Sequence, residues 1–315
     1  MRTILCDLVN IEVPIFQGGM AWLATGELAA AVSSAGGLGI IGAGNASPEI
    51  VLSEIKKVKQ TTDKPFGVNV YYMSSFVEEI VDLVCQERIA VVTTGAGNPG
   101  KHIKKFKDAG VKVFPVVSSV ALAKRLERQG VDGIIAEGME CGGHIGEVTT
   151  VPLVPQVVDA VDVPVIAAGG IADGRGFAAA LALGAVGAQI GTRFICASEC
   201  SVHQNYKEAV LKAKDRDTVV TGYQGHYVRV LNNKLAREFK KLESRGAPAE
   251  EFERLGAGRL RSAVIEGDIQ YGSVMAGQVA AMVDQVLPVS EIMDEIIKQA
   301  EATIRELTGL LQGGA

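Results

Sequence analysis

Pro164-Val165-Ile166-Ala167-Ala168-Gly169-Gly170-Ile171-Ala172-Asp173-Gly174, continuing to Ala188-Gln189-Ile190-Gly191-Thr192-Arg193-Phe194, is the stretch whose reading decides the fold. An apolar run ends on paired glycines, a helical pattern over 176–183 follows, and a second apolar run begins at Ala188. Strand, turn, helix and strand in that order imply parallel pairing through a right-handed crossover. The same unit recurs back to the amino terminus, with strands predicted at 14–19, 38–42, 65–70, 90–95, 112–117, 133–138, 164–169 and 188–194. Helical patterns at 27–34, 48–60, 76–86, 120–129 and 176–183 lie between them. Eight such strands predict a closed TIM (β/α)8 barrel of the α/β class. An open doubly wound sheet usually carries Gly-x-Gly-x-x-Gly after its first strand, and Gln17-Gly18-Gly19-Met20-Ala21-Trp22 does not fit that fingerprint.

After Phe194 the rhythm stops. Residues 200–268 are polar and charge-rich, with helical patterns at 235–245 and 250–255, and predict a small helical cap subdomain inserted after strand eight. The barrel is then expected to comprise 1–199 and 269–315. Within its second part, Gly272-Ser273-Val274-Met275-Ala276-Gly277-Gln278 is expected to open an apolar helix, and 290–311 to form an amphipathic helix outside the barrel.

The 315 residues are 48% hydrophobic, 21% charged and 5% aromatic, an ordinary globular composition whose small and branched aliphatics suit strands buried on both faces. A formal charge of −5 argues against a nucleic-acid-binding protein, which needs a basic surface for phosphates. Two local basic clusters stand against that balance, one over 101–107 and one over 234–241, each read first as a solvated helix face. Five irregularly spaced cysteines form neither a zinc pattern nor a disulfide framework and fit a reducing, cytoplasmic setting. With no signal segment and no apolar run of membrane-spanning length, no membrane association is expected.

The candidate catalytic residue is His144, in Met139-Glu140-Cys141-Gly142-Gly143-His144-Ile145-Gly146. It follows the sixth strand, at the end of the strands where barrels carry their chemistry. The other three histidines lie in patterns read as helical or strongly charged. The interval between the sixth and seventh strands is also longer than the rest, and the extra residues fall at 139–150, around His144. Cys141, three residues before it, is a lesser candidate as a thiol nucleophile.

Gly169 and Gly170 after strand seven, with Gly191 and Thr192 after strand eight, form a candidate phosphate site of the kind barrels build from those two loops. A nucleotide or a sugar phosphate could fill it. Gly19 and Met20 from the first strand end, Asn69 from the third, and Glu137, Gly142 and Gly143 from the sixth add backbone groups, a neutral amide and a soft thioether. Few fixed charges and several neutral groups suit a broad heteroaromatic ring such as flavin. Carboxylates and histidines do not converge at metal-ligand spacing, so no metal is expected.

Gln17-Gly18-Gly19-Met20-Ala21-Trp22, Ile40-Ile41-Gly42-Ala43-Gly44-Asn45, Thr93-Thr94-Gly95-Ala96-Gly97-Asn98-Pro99, Gly142-Gly143-His144-Ile145-Gly146, the turn 167–174 and the segment 272–278 together resemble the flavin-dependent enoyl-acyl-carrier-protein reductase II family. The Gly-Gly-His-x-Gly and Ala-Gly-Gly-Ile motifs are shared with the wider superfamily of nitronate monooxygenases (2-nitropropane dioxygenases). The resemblance implies an FMN-containing barrel that uses NAD(P)H to reduce trans-2-enoyl thioesters in the last step of fatty-acid elongation. Nitronate oxidation by O2 is the alternative, and a non-catalytic flavin-binding protein a weaker one. The resemblance also implies that Gly169, Gly170, Gly191 and Thr192 hold the FMN phosphate. By the same likeness Met20, Ala21, Asn69, Met275 and Gln278 line the ring, and His144 faces the substrate. Acyl-carrier protein is the expected partner, with the basic clusters as steering patches, a homodimer as the assembly and a stimulating monovalent cation as an accessory.

Overall fold

Runs of valine, isoleucine and alanine without a charged residue cannot face water on either side, so the chain buries them in the wall of a barrel. A computed structural model of the protein describes residues 1–312. Its strands are β1 (Ile15–Gln17), β2 (Gly39–Gly42), β3 (Phe66–Tyr71), β4 (Val91–Gly95), β5 (Lys112–Val117), β6 (Ile134–Glu137), β7 (Gly143–His144), β8 (Val165–Ala168), β9 (Gly187–Ile190), β10 (Thr218–Tyr223) and β11 (His226–Leu231). Eight of them form a parallel sheet in the order β1-β9-β8-β6-β5-β4-β3-β2. The ends of that order meet: Phe16 bridges Leu38 in parallel, Gln17 N donates to Leu38 O at 2.9 Å, and Leu38 N donates to Ile15 O at 2.9 Å. The predicted (β/α)8 barrel is thus closed.

The barrel interior is a packed plug and not a pore. Phe16, Leu38, Ile40, Val91, Phe114, Ile135 and Ile166 form one buried cluster, with Phe16 and Phe114 edge to face at 5.6 Å. The helix Ile4–Val9 closes the amino-terminal end of the strands by adding Leu5, Cys6 and Val9 to this cluster. Polar chemistry is therefore confined to the opposite, carboxyl end. The predicted outer helix is present as Val289–Gln312, packed on Gly174–Ala182 through Ile292, Ile296 and Ala300, with Gln299 Oε1 accepting from Gly174 N at 2.8 Å.

Three expectations change. The eighth barrel strand stops at Ile190 and not at Phe194; residues Thr192–Ile195 turn into a short helix whose four side chains are buried. A short buried apolar run reads alike in either conformation, so periodicity could not separate them. The segment 200–268 does carry helices, Gln204–Leu211, Lys234–Ser244 and Ala249–Gly256, but between the first two lies the antiparallel hairpin β10–β11, which the helical reading missed. Finally, residues 272–277 form no helix. Met275 bridges Val230 in extended conformation, and only a 3-10 turn at Gln278–Met282 follows. Close approach explains this: a Cβ on Gly272 would lie 2.1 Å from Asp268 O, and one on Gly277 2.7 Å from Glu140 O. Among the described residues no helix is long and apolar enough to cross a membrane.

The tightest joint between wall and helix is Gly39, where a Cβ would sit 1.9 Å from Ala29 O. Overpacking against backbone cannot relax by a rotamer change. Gly39→Ala is expected to cost about 3 kcal/mol or more of unfolding free energy, or to abolish soluble expression. Gly95→Ala, where nothing lies within 4 Å, should change chemical denaturation by less than about 1 kcal/mol.

Candidate active site

The carboxyl ends of the strands are joined by one continuous set of close contacts. Gly19 abuts Asn69, whose Nδ2 donates to Thr93 Oγ1 at 2.9 Å. Met20 lies against Gly42 and brings its sulfur near Gly191, while Ala21 packs on Gly44. Gly169 and Gly170 both adopt positive φ, 86° and 73°, and a Cβ on Gly169 would lie 2.5 Å from Gly138 O. Thr192, at the start of its short helix, accepts Gly277 N at 2.9 Å, and its own proton has no acceptor among the described residues. Gly142 fits only because it has no side chain: a Cβ would meet Ala276 and Gly277 backbone at 2.7–2.8 Å.

The enlarged loop after β6 is anchored by Glu140. Its carboxylate accepts Thr150 N at 3.0 Å, its backbone oxygen accepts Gln278 N at 2.9 Å, and the Thr150 hydroxyl reaches Gly169 O at 2.8 Å. The loop then forms β7, which pairs antiparallel with β11 so that His144 stands opposite Val228 and Gly143 opposite Arg229. The buried Arg229 guanidinium donates from Nε and Nη2 to Met139 O at 3.1 and 3.0 Å. His144 is therefore carried by the barrel but aligned by the segment that follows it.

His144 faces a cavity of about 400 Å³ that also meets Tyr71, Met73, His226 and Met275 and runs out between the hairpin and the helices Lys234–Ser244 and Ala249–Gly256. Its ring is open to water on one side and crowded on the others, with Tyr71 at 5.8 Å between centroids. Partial loss of hydration, and secondarily His226, lower its pKa below the ordinary imidazole value. Glu137, half-buried at the end of β6, has its pKa pushed up to about 7 by desolvation. Burial first, and the neighbouring Glu137 next, raise the Cys141 thiol well above its usual range, while its Sγ lies 3.5 Å from His144 O. A thiol held protonated is a poor nucleophile, and Cys141 is buried in the loop after β6.

Two buried polar atoms on barrel strands, Gln189 Oε1 and Thr94 Oγ1, have no hydrogen-bond partner. Gln189 lies at the end of β9 against Gly18, beside the glycine turns. Buried polar groups are nearly always paired, so this end of the barrel has the unmet acceptor and the backbone clearance that a polar ring and its phosphate would use.

Not every expected residue is drawn into this constellation. The Gln278 side chain is exposed, and only its backbone is tied to the site. Three of the four lysines of 101–107 are ion-paired: Lys101 with Glu78, Lys104 with Asp108 and Lys105 with Asp82. His102, expected on a charged helix face, is 5% exposed and bridges Tyr72 Oη at 2.9 Å and Glu78 Oε2 at 3.0 Å. In the second cluster Lys240 and Lys241 pair with Glu243 and Glu238. The sequence reading missed Gln189, Tyr71, Arg229 and His226. Alternation in Tyr227-Val228-Arg229-Val230 was the available signal for the last two.

Comparison with known proteins places this barrel among oxidoreductases. FabK from Thermotoga maritima superposes with a TM-score of 0.96 at 51% identity, covering 98% of this chain and 99% of that one. A (3aS,4S,5R,7aS)-5-hydroxy-7a-methyl-1-oxo-octahydro-1H-indene-4-carboxyl-CoA dehydrogenase from Rhodococcus jostii is 33% identical over 98% of this chain and 99% of its own length. A probable nitronate monooxygenase from Staphylococcus aureus is 33% identical over 94% of this chain and 96% of its own. The family profile of nitronate monooxygenase matches residues 2–80 and 74–299, and the chain belongs to that family.

The Glu137 shift carries a stability signature. Its folded pKa of about 7 lies above the usual carboxyl value, so the folded state keeps a proton that the unfolded chain releases. Stability is then full below the unfolded pKa and falls as pH rises towards about 7, by up to roughly 3 kcal/mol. The melting temperature of ligand-free protein should fall more between about pH 5 and about pH 8 than that of Glu137→Gln. Parallel profiles would show that Glu137 does not titrate in this window.

Proposed function

We propose that this protein is an FMN-dependent enoyl thioester reductase that uses NAD(P)H and accepts trans-2-enoyl groups on acyl-carrier protein. One observation carries the reading: the whole-chain likeness to FabK, an enoyl-acyl-carrier-protein reductase II, at 51% identity, against 33% for the nitronate monooxygenase and dehydrogenase relatives. In this reading residues 200–268 act as a cap on a barrel of 1–199 and 269–315.

The residues at the mouth fit the flavin. Gly169, Gly170, Gly191 and the free proton of Thr192 would hold its phosphate, and Gly19, Met20, Ala21, Asn69, Gly142, Gly143, Met275 and Gln278 would border its ring. Gln189 Oε1, unpaired and buried, is an added candidate acceptor for a ring N–H. Bound there, the flavin would supply the hydride-transfer chemistry. Glu137, protonated in a large fraction of molecules near neutrality, would spare the mouth a fixed negative charge and could donate a hydrogen bond.

Reduction of an enoyl thioester places negative charge on the thioester oxygen, and a positioned donor must meet it. His144 is that donor in this reading. With a pKa below the ordinary value it is mostly neutral at pH 7, so it donates one ring N–H and stabilises the oxygen by hydrogen bonding. Backbone pairing of β7 with β11 fixes its position, which lowers the cost of ordering it in the transition state.

The second reading, nitronate oxidation by O2, is favoured by the family match itself. Anaerobic stopped-flow separates the two. Flavin reduced by NAD(P)H should be reoxidised by crotonyl-CoA without O2. Reoxidation by O2 alone, with turnover of a nitronate, would reverse the assignment. His144→Ala should keep bound FMN, seen in its visible spectrum, and lose roughly 10²–10⁴-fold in enoyl reduction. Near wild-type turnover in that variant would remove His144 from the chemistry.

A further inference from the structure

Three cations stand on the segments that follow β8 and β9, and they differ in what balances them. Arg175 is exposed and donates from Nε to Asp173 Oδ2 at 2.8 Å. Arg193 is buried, donates from Nη1 to Gln285 O at 3.3 Å, and has Asp284 and Glu295 in its surroundings. Lys207, on the helix Gln204–Leu211, is 6% exposed and donates from Nζ to Ala197 O at 2.6 Å. Among the described residues no carboxylate forms an ion pair with it. A lysine is almost never buried to this degree without a paired anion, and an uncompensated buried charge is costly. Its position shows which charge it can serve. Ala197 N donates to Phe194 O at 3.1 Å and Phe194 N to Gly191 O at 2.9 Å. Lys207 thus grips the far end of the spur that begins at Gly191 and Thr192. A Cβ on Gly191 would meet only the Met20 sulfur, at 3.6 Å, so the backbone there has clearance for a ligand group. Backbone N–H groups and a hydroxyl can orient a phosphate, but they carry no formal charge to set against its ~1.5 to 2 negative charges.

We propose that Lys207 is a positioning residue for the cofactor phosphate: its buried positive charge, fixed behind the spur 191–197, makes the site select a phosphorylated flavin over a phosphate-free one. The inference rests on the flavin placement in the preceding reading and adds to it the residue that sets the ligand's charge. The ammonium is turned to Ala197 O, so it acts on the phosphate through space. Inside the protein such an interaction is stronger than in water and little screened by salt. Tyr206, its neighbour on the same helix, is fully buried and donates from Oη to Met275 O at 2.7 Å. One helix thus backs both ends of the flavin, by a hydrogen bond on the ring side and by charge on the phosphate side.

The test loads the full-length protein with FMN or with riboflavin and reads the flavin released on dilution by its fluorescence. Wild type should hold FMN more tightly than riboflavin. Lys207→Met keeps the packing of the stem; it should raise the FMN Kd by about tenfold or more and leave the riboflavin Kd within about twofold. Lys207→Gln keeps a donor for Ala197 O without the charge, and should lose FMN preference in the same way. Tyr206→Phe removes the bond to Met275 O and should weaken both flavins alike. If Lys207→Met does not fold, Lys207→Gln carries the comparison. Three results would overturn the inference and leave the flavin placement intact: no preference for FMN in wild type, Lys207 variants that shift both flavins equally or neither, or a preference kept in Lys207→Gln. A loss confined to FMN in Tyr206→Phe would overturn it too, since any damage to this helix would then mimic the effect of charge. Wild-type protein that retains neither flavin would overturn the flavin reading itself, and this inference with it.

Discussion

Thr150 and Glu140 hold the mouth together. The threonine hydroxyl reaches Gly169 O at 2.8 Å, and the Glu140 carboxylate accepts Thr150 N at 3.0 Å while its backbone oxygen accepts Gln278 N. Gly277 N, next to that bond, donates to Thr192. Four segments far apart in sequence are thereby fixed to one another: the loop after β6, the turn after β8, the start of the helix after β9, and the stretch returning from the cap. Each bond adds only about 1 kcal/mol net, but a member left buried and unpaired costs about 1–3 kcal/mol. Such a network is either complete or a liability, and this one fixes Gly169 and Gly277 directly.

The electrostatic character of the site follows from enclosure rather than from ion pairing. Burial raises Glu137 and Cys141 and lowers His144, and each shift favours the uncharged form. Arg229 turns its donors to Met139 O and Thr218 Oγ1. What results is a mouth of hydrogen-bonding groups with little fixed charge, a setting for neutral ligands whose charge develops only during reaction.

The barrel was legible because it is built from repeated local units. Strand 164–169 and the helix after it announce themselves within twenty residues or so, and the rest of the wall repeats them. His144 was legible for the same reason, by its place after β6. The hairpin was not, because its register with β7 joins residues distant along the chain, and the surrounding lysines and glutamates weigh the composition towards helix. Likewise the lysines of 101–107 look free in sequence, yet Glu78 and Asp82 on the neighbouring helix neutralise Lys101 and Lys105. Glu137 could be named from its position, but its raised pKa depends on walls that only the folded chain supplies.

The two-residue strand β7 is the smallest element of the structure, and it makes the barrel and the inserted segment inseparable. Because Gly143 and His144 complete a sheet whose other strands lie in the insertion, that insertion is not an ornament that can be shed or exchanged at its ends. Recombination between relatives would have to carry Met139–His144 and the hairpin together, since a hairpin of different register would turn the histidine to the wrong face. The unit that positions His144 is thus neither the barrel alone nor the segment 200–268 alone but the strand pairing that joins them.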